Sequence, residues 1–236
     1  MTRVGCRSGR VARAIGSVTA AALLLLAGAM PGRAQGLAEY DYDQLGFRGV
    51  GLDFGYIFPG DVEDTPQYSL RVDLGYLGPG LRLLPRVAYF SSSMTEGEVA
   101  KLERRVAQLV FQQNPLAPVP EVDLGIVDWS ALTVGLDAQF VWRVPFGVLT
   151  YLGAGVAAHF QNGGGDAIDG TFVEDLLDST VGGFNGHAGL EVPLNDRLRA
   201  YGDFRYELAG DLSFPAFRLG LQFMFTGPAP GEVRGR

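Results

Sequence analysis

The chain has 236 residues, 47% hydrophobic, 11% aromatic and 19% charged, with 34 glycines and a formal net charge of −7. It is too apolar and aromatic for a disordered protein. Its acidity excludes the basic footprint of a nucleic-acid reader, and glycines without a three-residue period exclude a collagen-like chain. A membrane protein or a β-rich secreted protein remains.

Residues 1–34 read as a secretory signal peptide. Arg3, Arg7, Arg10 and Arg13 form a basic start, 14–30 is uncharged, and Gly32-Arg33-Ala34 sets small residues before a cut at Gln35. The apolar core is shorter than the roughly 20 residues a spanning helix needs. Cys6, the one cysteine, lies in this segment, so the processed chain carries no disulfide and no thiolate metal site. Losing those four arginines and Arg33 leaves 14 basic residues against 26 acidic, a net −12. Residues 35–45 then make an N-terminal periplasmic segment.

From there the sequence alternates with period two, the mark of half-buried strands. The first strand, 47–58, sets Val50, Leu52, Phe54, Tyr56 and Phe58 against glycines and Asp53. The second, 67–77, sets Tyr68, Leu70, Val72, Leu74 and Tyr76 against Ser69, Arg71 and Asp73. The third, 81–91, opposes Leu83, Val87 and Tyr89 to Arg82 and Arg86. Next comes a helix over 94–111: Thr95 and Glu98 form a capping box, and Val99, Leu102, Val106 and Leu109 an apolar stripe. The stripe suits either a surface partner or a lid on the barrel rim.

The fourth strand, 130–144, carries Asp137, Gln139 and Arg143 opposite Leu132, Val134, Leu136, Phe140 and Trp142. The fifth, 147–161, carries Tyr151 and His159 opposite Leu152, Val156 and Phe160. Thr171 and Glu174 box a shorter helix ending at Leu177. The last three strands, 181–192, 197–208 and 214–225, set His187, Glu191, Arg199, Asp203, Arg205, Glu207 and Arg218 against faces of Leu, Val, Phe and Tyr.

Eight strands of about the length that crosses a membrane at a tilt predict an eight-stranded antiparallel up-and-down transmembrane barrel over 46–225. Residues 226–236 are a short periplasmic tail. Tight turns at Gly78-Pro79-Gly80, Pro145-Phe146 and 193–196 alternate with connections at 59–66, 92–129, 162–180 and 209–213, which places short turns on one rim and longer loops on the other. The rival is a soluble lipocalin-like barrel with its apolar face inside. The interior of eight strands is too narrow for all those Leu, Val, Phe and Tyr side chains, so the apolar face points out.

The last strand, Arg218-Leu-Gly220-Leu-Gln-Phe223-Met-Phe225, resembles the β-signal of Gram-negative outer-membrane proteins. With Asp203-Phe-Arg205-Tyr206 and Tyr151-Leu-Gly153, it resembles the small eight-stranded class that includes the OmpA transmembrane domain. The resemblance implies an outer-membrane location, with assembly-machinery contact through Arg218, Gly220, Phe223 and Phe225 and a surrounding of lipid and lipopolysaccharide.

Inside, Asp53, Asp73, Asp137, Glu191, Asp203 and Glu207 face Arg71, Arg82, Arg86, Arg143, Arg199, Arg205 and Arg218. They are expected to pair as a structural plug, the alternative being a narrow channel or carrier for small solutes. A lipid-modifying enzyme is the remaining alternative. Its His-x-Ser pattern is missing at His159, followed by Gln161; His187 and Glu191 are too far apart for a direct bond; Ser91–Ser93 have no histidine nearby in sequence. No catalytic residue, cofactor or metal ligand is assigned. Asp61, Glu63, Asp64, Asp166, Asp169, Glu174, Asp175 and Asp178 make the outer rim acidic without the spacing of an EF-hand.

Overall fold

The computed structural model describes residues 45–113, 118, 121–210 and 212–225. The signal segment, its cleavage point, the periplasmic segment up to 44 and the tail lie outside the described residues. Eight strands pair in chain order and close into one antiparallel barrel. They are β1 (Leu45–Ile57), β2 (Thr65–Gly75), β3 (Leu81–Ser93), β4 (Asp128–Arg143), β5 (Leu149–Gly164), β6 (Ser179–Pro193), β7 (Leu198–Ala209) and β8 (Leu212–Met224). Closure runs along β1 and β8, from Gly49 opposite Met224 to Ile57 opposite Ala216. No sheet edge is left unpaired in the barrel wall, which is what a strand protein needs in a solvent without hydrogen-bonding groups.

Burial alternates residue by residue along the strands. Leu52, Phe184 and Leu219 on the outer wall are 65%, 67% and 74% exposed, while Arg82 and Gln222 on the inner wall are fully buried. An outer surface this apolar is matched to hydrocarbon. Aromatic side chains gather near both rims. Phe47 stacks on Phe225 at 5.0 Å and Phe140 lies beside Trp142 at one end; Tyr56, Phe58, Phe54 and Tyr68 pair at the other.

The connections divide the ends. Residues 76–80, 144–148 and 194–197 are short; 58–64, 94–127 and 165–178 are longer, and Ala209 of β7 pairs directly with Leu212 of β8. Gly78 and Gly80 take φ of 112° and 79°, conformations that any side chain would strain. Tyr76, expected on the outer face of β2, is instead 2% exposed in the interior. Gly75 at φ 84° ends the strand and reverses the facing of the residue that follows.

The long loops carry two helices, α1 (Glu96–Gln113) and α2 (Phe172–Leu177). Leu102 and Val106 of α1 are buried with Leu124, Val127, Ile168 and Val173, with Val99 and Leu177 packed beside them. The apolar stripe is therefore a lid contact covered by the chain's own loops; Leu109, at its end, stays exposed. The caps also differ from the expected boxes. The Thr95 hydroxyl donates to the Asp61 carbonyl at 3.4 Å and Glu98 pairs with Lys101. At α2, Thr171 accepts from the Val173 amide, while Glu174 accepts from the amide of Gly170, one residue ahead of the cap.

Candidate functional site

Alternation on eight strands brings six arginines and six carboxylates of the strands' inner faces into one enclosed space, each less than 9% exposed: Arg71, Arg82, Arg86, Arg199, Arg205 and Arg218 with Asp53, Asp73, Asp137, Glu191, Asp203 and Glu207. They form three knots at successive heights.

Nearest the short turns, Glu191 accepts from Arg71 at 2.8 Å and from both terminal nitrogens of Arg82 at 3.0 and 2.5 Å. Arg199 lies 3.6 Å from the same carboxylate, and Arg82 lies 3.6 Å from Asp73. Two amides complete this knot. Gln222 donates to Asp73 at 2.9 Å and accepts from Arg71, while Gln139 accepts from Arg82 at 2.6 Å. The Arg71 guanidinium also stacks 3.3 Å over the Tyr201 ring.

In the middle, Arg218 grips Asp203 with two parallel bonds of 2.9 and 2.8 Å, the fork geometry that makes arginine–carboxylate pairs strong. Asp53 accepts from Ser69 at 2.5 Å and from Tyr201 at 2.8 Å, and Tyr151 donates to Asp203 at 3.1 Å.

Toward the long loops, Arg205 holds Asp137 in a second fork and reaches Glu207 at 3.4 Å, while Arg86 donates to Glu207 at 2.5 Å. Asn185 donates to Asp137, and the His187 ring bridges Asn185 and Gln139 at 2.9 and 3.1 Å. Those two bonds fit an imidazole with its proton on Nδ1, since Gln139 donates to Nε2. His159 is bonded to Thr133. Each imidazole thus has an amide or hydroxyl partner, while Ser92 donates to the Glu63 carbonyl and Ser93 to Asp128 at the loop rim.

Arg143 does not join this network. It is the last residue of β4, exposed at the short-turn rim, and it makes no ion pair with a described residue. Of the β-signal positions, Arg218 is consumed by Asp203, Gly220 lies under the Tyr201 ring, and Phe223 and Phe225 face outward.

Space for these bulky polar groups comes from glycines on neighbouring strands. A Cβ on Gly189 would sit 2.5 Å from the Tyr151 hydroxyl, one on Gly183 2.8 Å from His159 Nε2, and one on Gly55 2.6 Å from the Arg218 stem.

Clusters of apolar and aromatic side chains lie at both ends of the polar knots. Above them Ile57, Phe90, Leu212, Phe214, Ala131 and Ala216 fill the barrel under the loops, joined by Val62, Met94 and Trp129. Below them Tyr76, Val141, Leu149 and Tyr151 cluster toward the short turns, with the Arg48 guanidinium 5.7 Å from the centre of the Tyr76 ring. Met94 packs on both the upper plug and the cluster under α1, so lid and plug are continuous.

No family model matches the sequence, and no curated protein matches it. Among solved structures the chain is similar to Neisserial surface protein A, at 15% identity over 75% of this chain and 97% of that one, with a TM-score of 0.48. It is also similar to Ail, the attachment invasion locus protein of Yersinia pestis, solved with the heparin analogue sucrose octasulfate (10% identity, 77% and 99% covered, TM-score 0.44). A third is the N-terminal β-barrel domain of Pseudomonas aeruginosa OprF (14%, 76% and 99%, 0.39). The likeness is one of fold, and the fold of this chain rests on its own strand pairing.

In the acidic loops, Asp169, Glu174 and Asp178 accept from the amides of Gly165, Gly170 and Gly163. Among the described residues no group of three or more His, Cys, Asp or Glu is arranged to hold a metal.

Proposed function

We propose that the chain is a Gram-negative outer-membrane barrel with a structural and surface-interaction role, exported by cleavage near Ala34-Gln35 and assembled through its last strand. The observation that carries this is the interior: balanced, buried ion pairs beneath an apolar plug, inside a wall whose outer face is apolar. A conducting path needs continuous water, and the upper layer, built of buried Ile, Val, Leu, Phe and Ala side chains, supplies no groups to hold it. The long loops face outside the cell and the short turns the periplasm, as in barrels of this kind.

Planar-bilayer recording tests the closed interior. The wild-type barrel is expected to show no discrete conductance, and Phe90→Ala with Phe214→Ala to admit leak currents, because both rings lie in the upper plug and meet edge to face at 5.9 Å. Discrete, selective currents from the wild type replace the structural reading with a channel.

Orientation has its own test. Protease added to whole cells is expected to cut within 94–127 and spare 76–80. Cutting only after the outer membrane is breached reverses the assignment.

A further inference from the structure

The loops 58–64, 94–127, 165–178 and 210–211 contain only three basic residues, Lys101, Arg104 and Arg105, among many acids. All three are exposed on α1, away from the buried Leu102 and Val106. At 3.6 residues per turn they share, with Gln108 and Gln112, an arc of about 100°, flanked on one side by Leu109 and on the other by Phe111. Leu109 and Phe111 are 37% and 36% exposed.

Like charges three and four residues apart on a helix oppose its formation. The neighbouring acids relieve only Lys101. Glu98 pairs with Lys101, Glu103 accepts from the Leu124 amide, and Arg104 and Arg105 make no ion pair with a described residue. This arrangement concentrates the loops' cations on one solvent face and borders them with apolar side chains.

We propose that this face of α1 docks the phosphorylated glycolipid of the surrounding outer leaflet, the lipopolysaccharide. Arg104, Arg105 and Lys101 meet its phosphates, and Leu109 and Phe111 meet its apolar part. Charge complementarity selects an anion, because the other loops repel one. The flanking apolar residues select an amphiphile over a soluble polyanion, since basic and apolar side chains together on one helix suit a lipid interface. The proposal rests on the outer-membrane reading given above.

The full barrel, refolded in phospholipid nanodiscs, is titrated with purified lipopolysaccharide, with the same lipopolysaccharide after phosphate removal, and with a sulfated glycan. The doubly substituted Arg104→Glu/Arg105→Glu and Leu109→Ser/Phe111→Ser proteins are compared with wild type. A retained difference between unboiled and boiled migration certifies that each variant still forms the barrel. The expected result is that charge reversal weakens lipopolysaccharide binding by at least about tenfold. Phosphate removal and high salt weaken the wild type similarly, and the serine variant also binds less.

Unchanged binding after charge reversal overturns the proposal. So does glycan binding that depends on the arginines but not on Leu109 and Phe111, which assigns the face to a soluble polyanion. Fractionation separates the two levels of the argument: a barrel found in the outer membrane whose charge-reversed form binds normally removes the docking face alone, whereas a barrel absent from that membrane removes the reading beneath it.

Discussion

Replacing Arg205 with alanine is expected to lower the stability of the refolded barrel by about 3–5 kcal/mol, read from its denaturant midpoint in detergent or lipid. Arg205 is 1% exposed and is the forked partner of Asp137 as well as a second donor to Glu207. Its loss leaves Asp137 with Asn185 and a distant Arg86, 3.8 Å away, in a space where water cannot compensate fully. The damage comes from the stranded carboxylate more than from the lost attraction. Adding Asp137→Ala to Arg205→Ala is therefore expected to recover part of the loss, a coupling between neighbours that separate changes do not show. Lys101→Ala, which breaks an exposed pair with Glu98, is expected to leave the midpoint nearly unchanged. A midpoint for Arg205→Ala equal to wild type contradicts the plug.

Gly189→Ala gives the second large effect from the smallest possible side chain. A Cβ there would lie 2.5 Å from the Tyr151 hydroxyl and 2.6 Å from the Asp203 Cβ, so it presses on a bonded pair in the middle knot. Overpacking of this kind costs about 1–3 kcal/mol, and Gly189→Val is expected to cost more. Gly186, three residues earlier on the same strand, lies on the outer face, where a Cβ would meet nothing within 4 Å. Gly186→Ala is expected to be neutral or slightly stabilising, because alanine restricts the unfolded chain at no steric cost. Equal effects at the two positions contradict the assignment of inner and outer faces.

How much of this was legible follows from the period of two. Leu52, Phe184 and Leu219 alternate with Asp53, Asn185 and Arg218, so the strand count, the outward apolar wall and most of the inward charges can be read directly. Partners are a different matter. That Arg71 reaches Glu191 across the barrel while Arg205 forks Asp137 depends on how the closed strands stagger, which local pattern does not encode. Arg143 shows the limit at a strand end, where facing alone suggests the lumen and only the position along the strand reveals the rim.

The polar amides of Gln139 and Gln222 carry an inward-facing signal, yet nothing in the sequence marks them as hinges of the lower knot. The upper plug is hidden from the alternation for a physical reason. Phe90 and Phe214 face inward on strands most of whose large apolar residues face out, and a run such as Tyr89-Phe90 is apolar on both faces, so alternation is silent there. Tyr76 fails in the opposite sense, because one left-handed glycine reverses the facing that the pattern predicts.

The central claim is that this chain closes into a membrane-spanning barrel with its apolar face outward. Outer-membrane fractions should therefore contain the protein in a form whose unboiled and boiled bands migrate differently on a denaturing gel, since a closed strand network resists detergent until it is heated. Recovery of the protein in the soluble periplasmic fraction, with a single band regardless of heating, would contradict it.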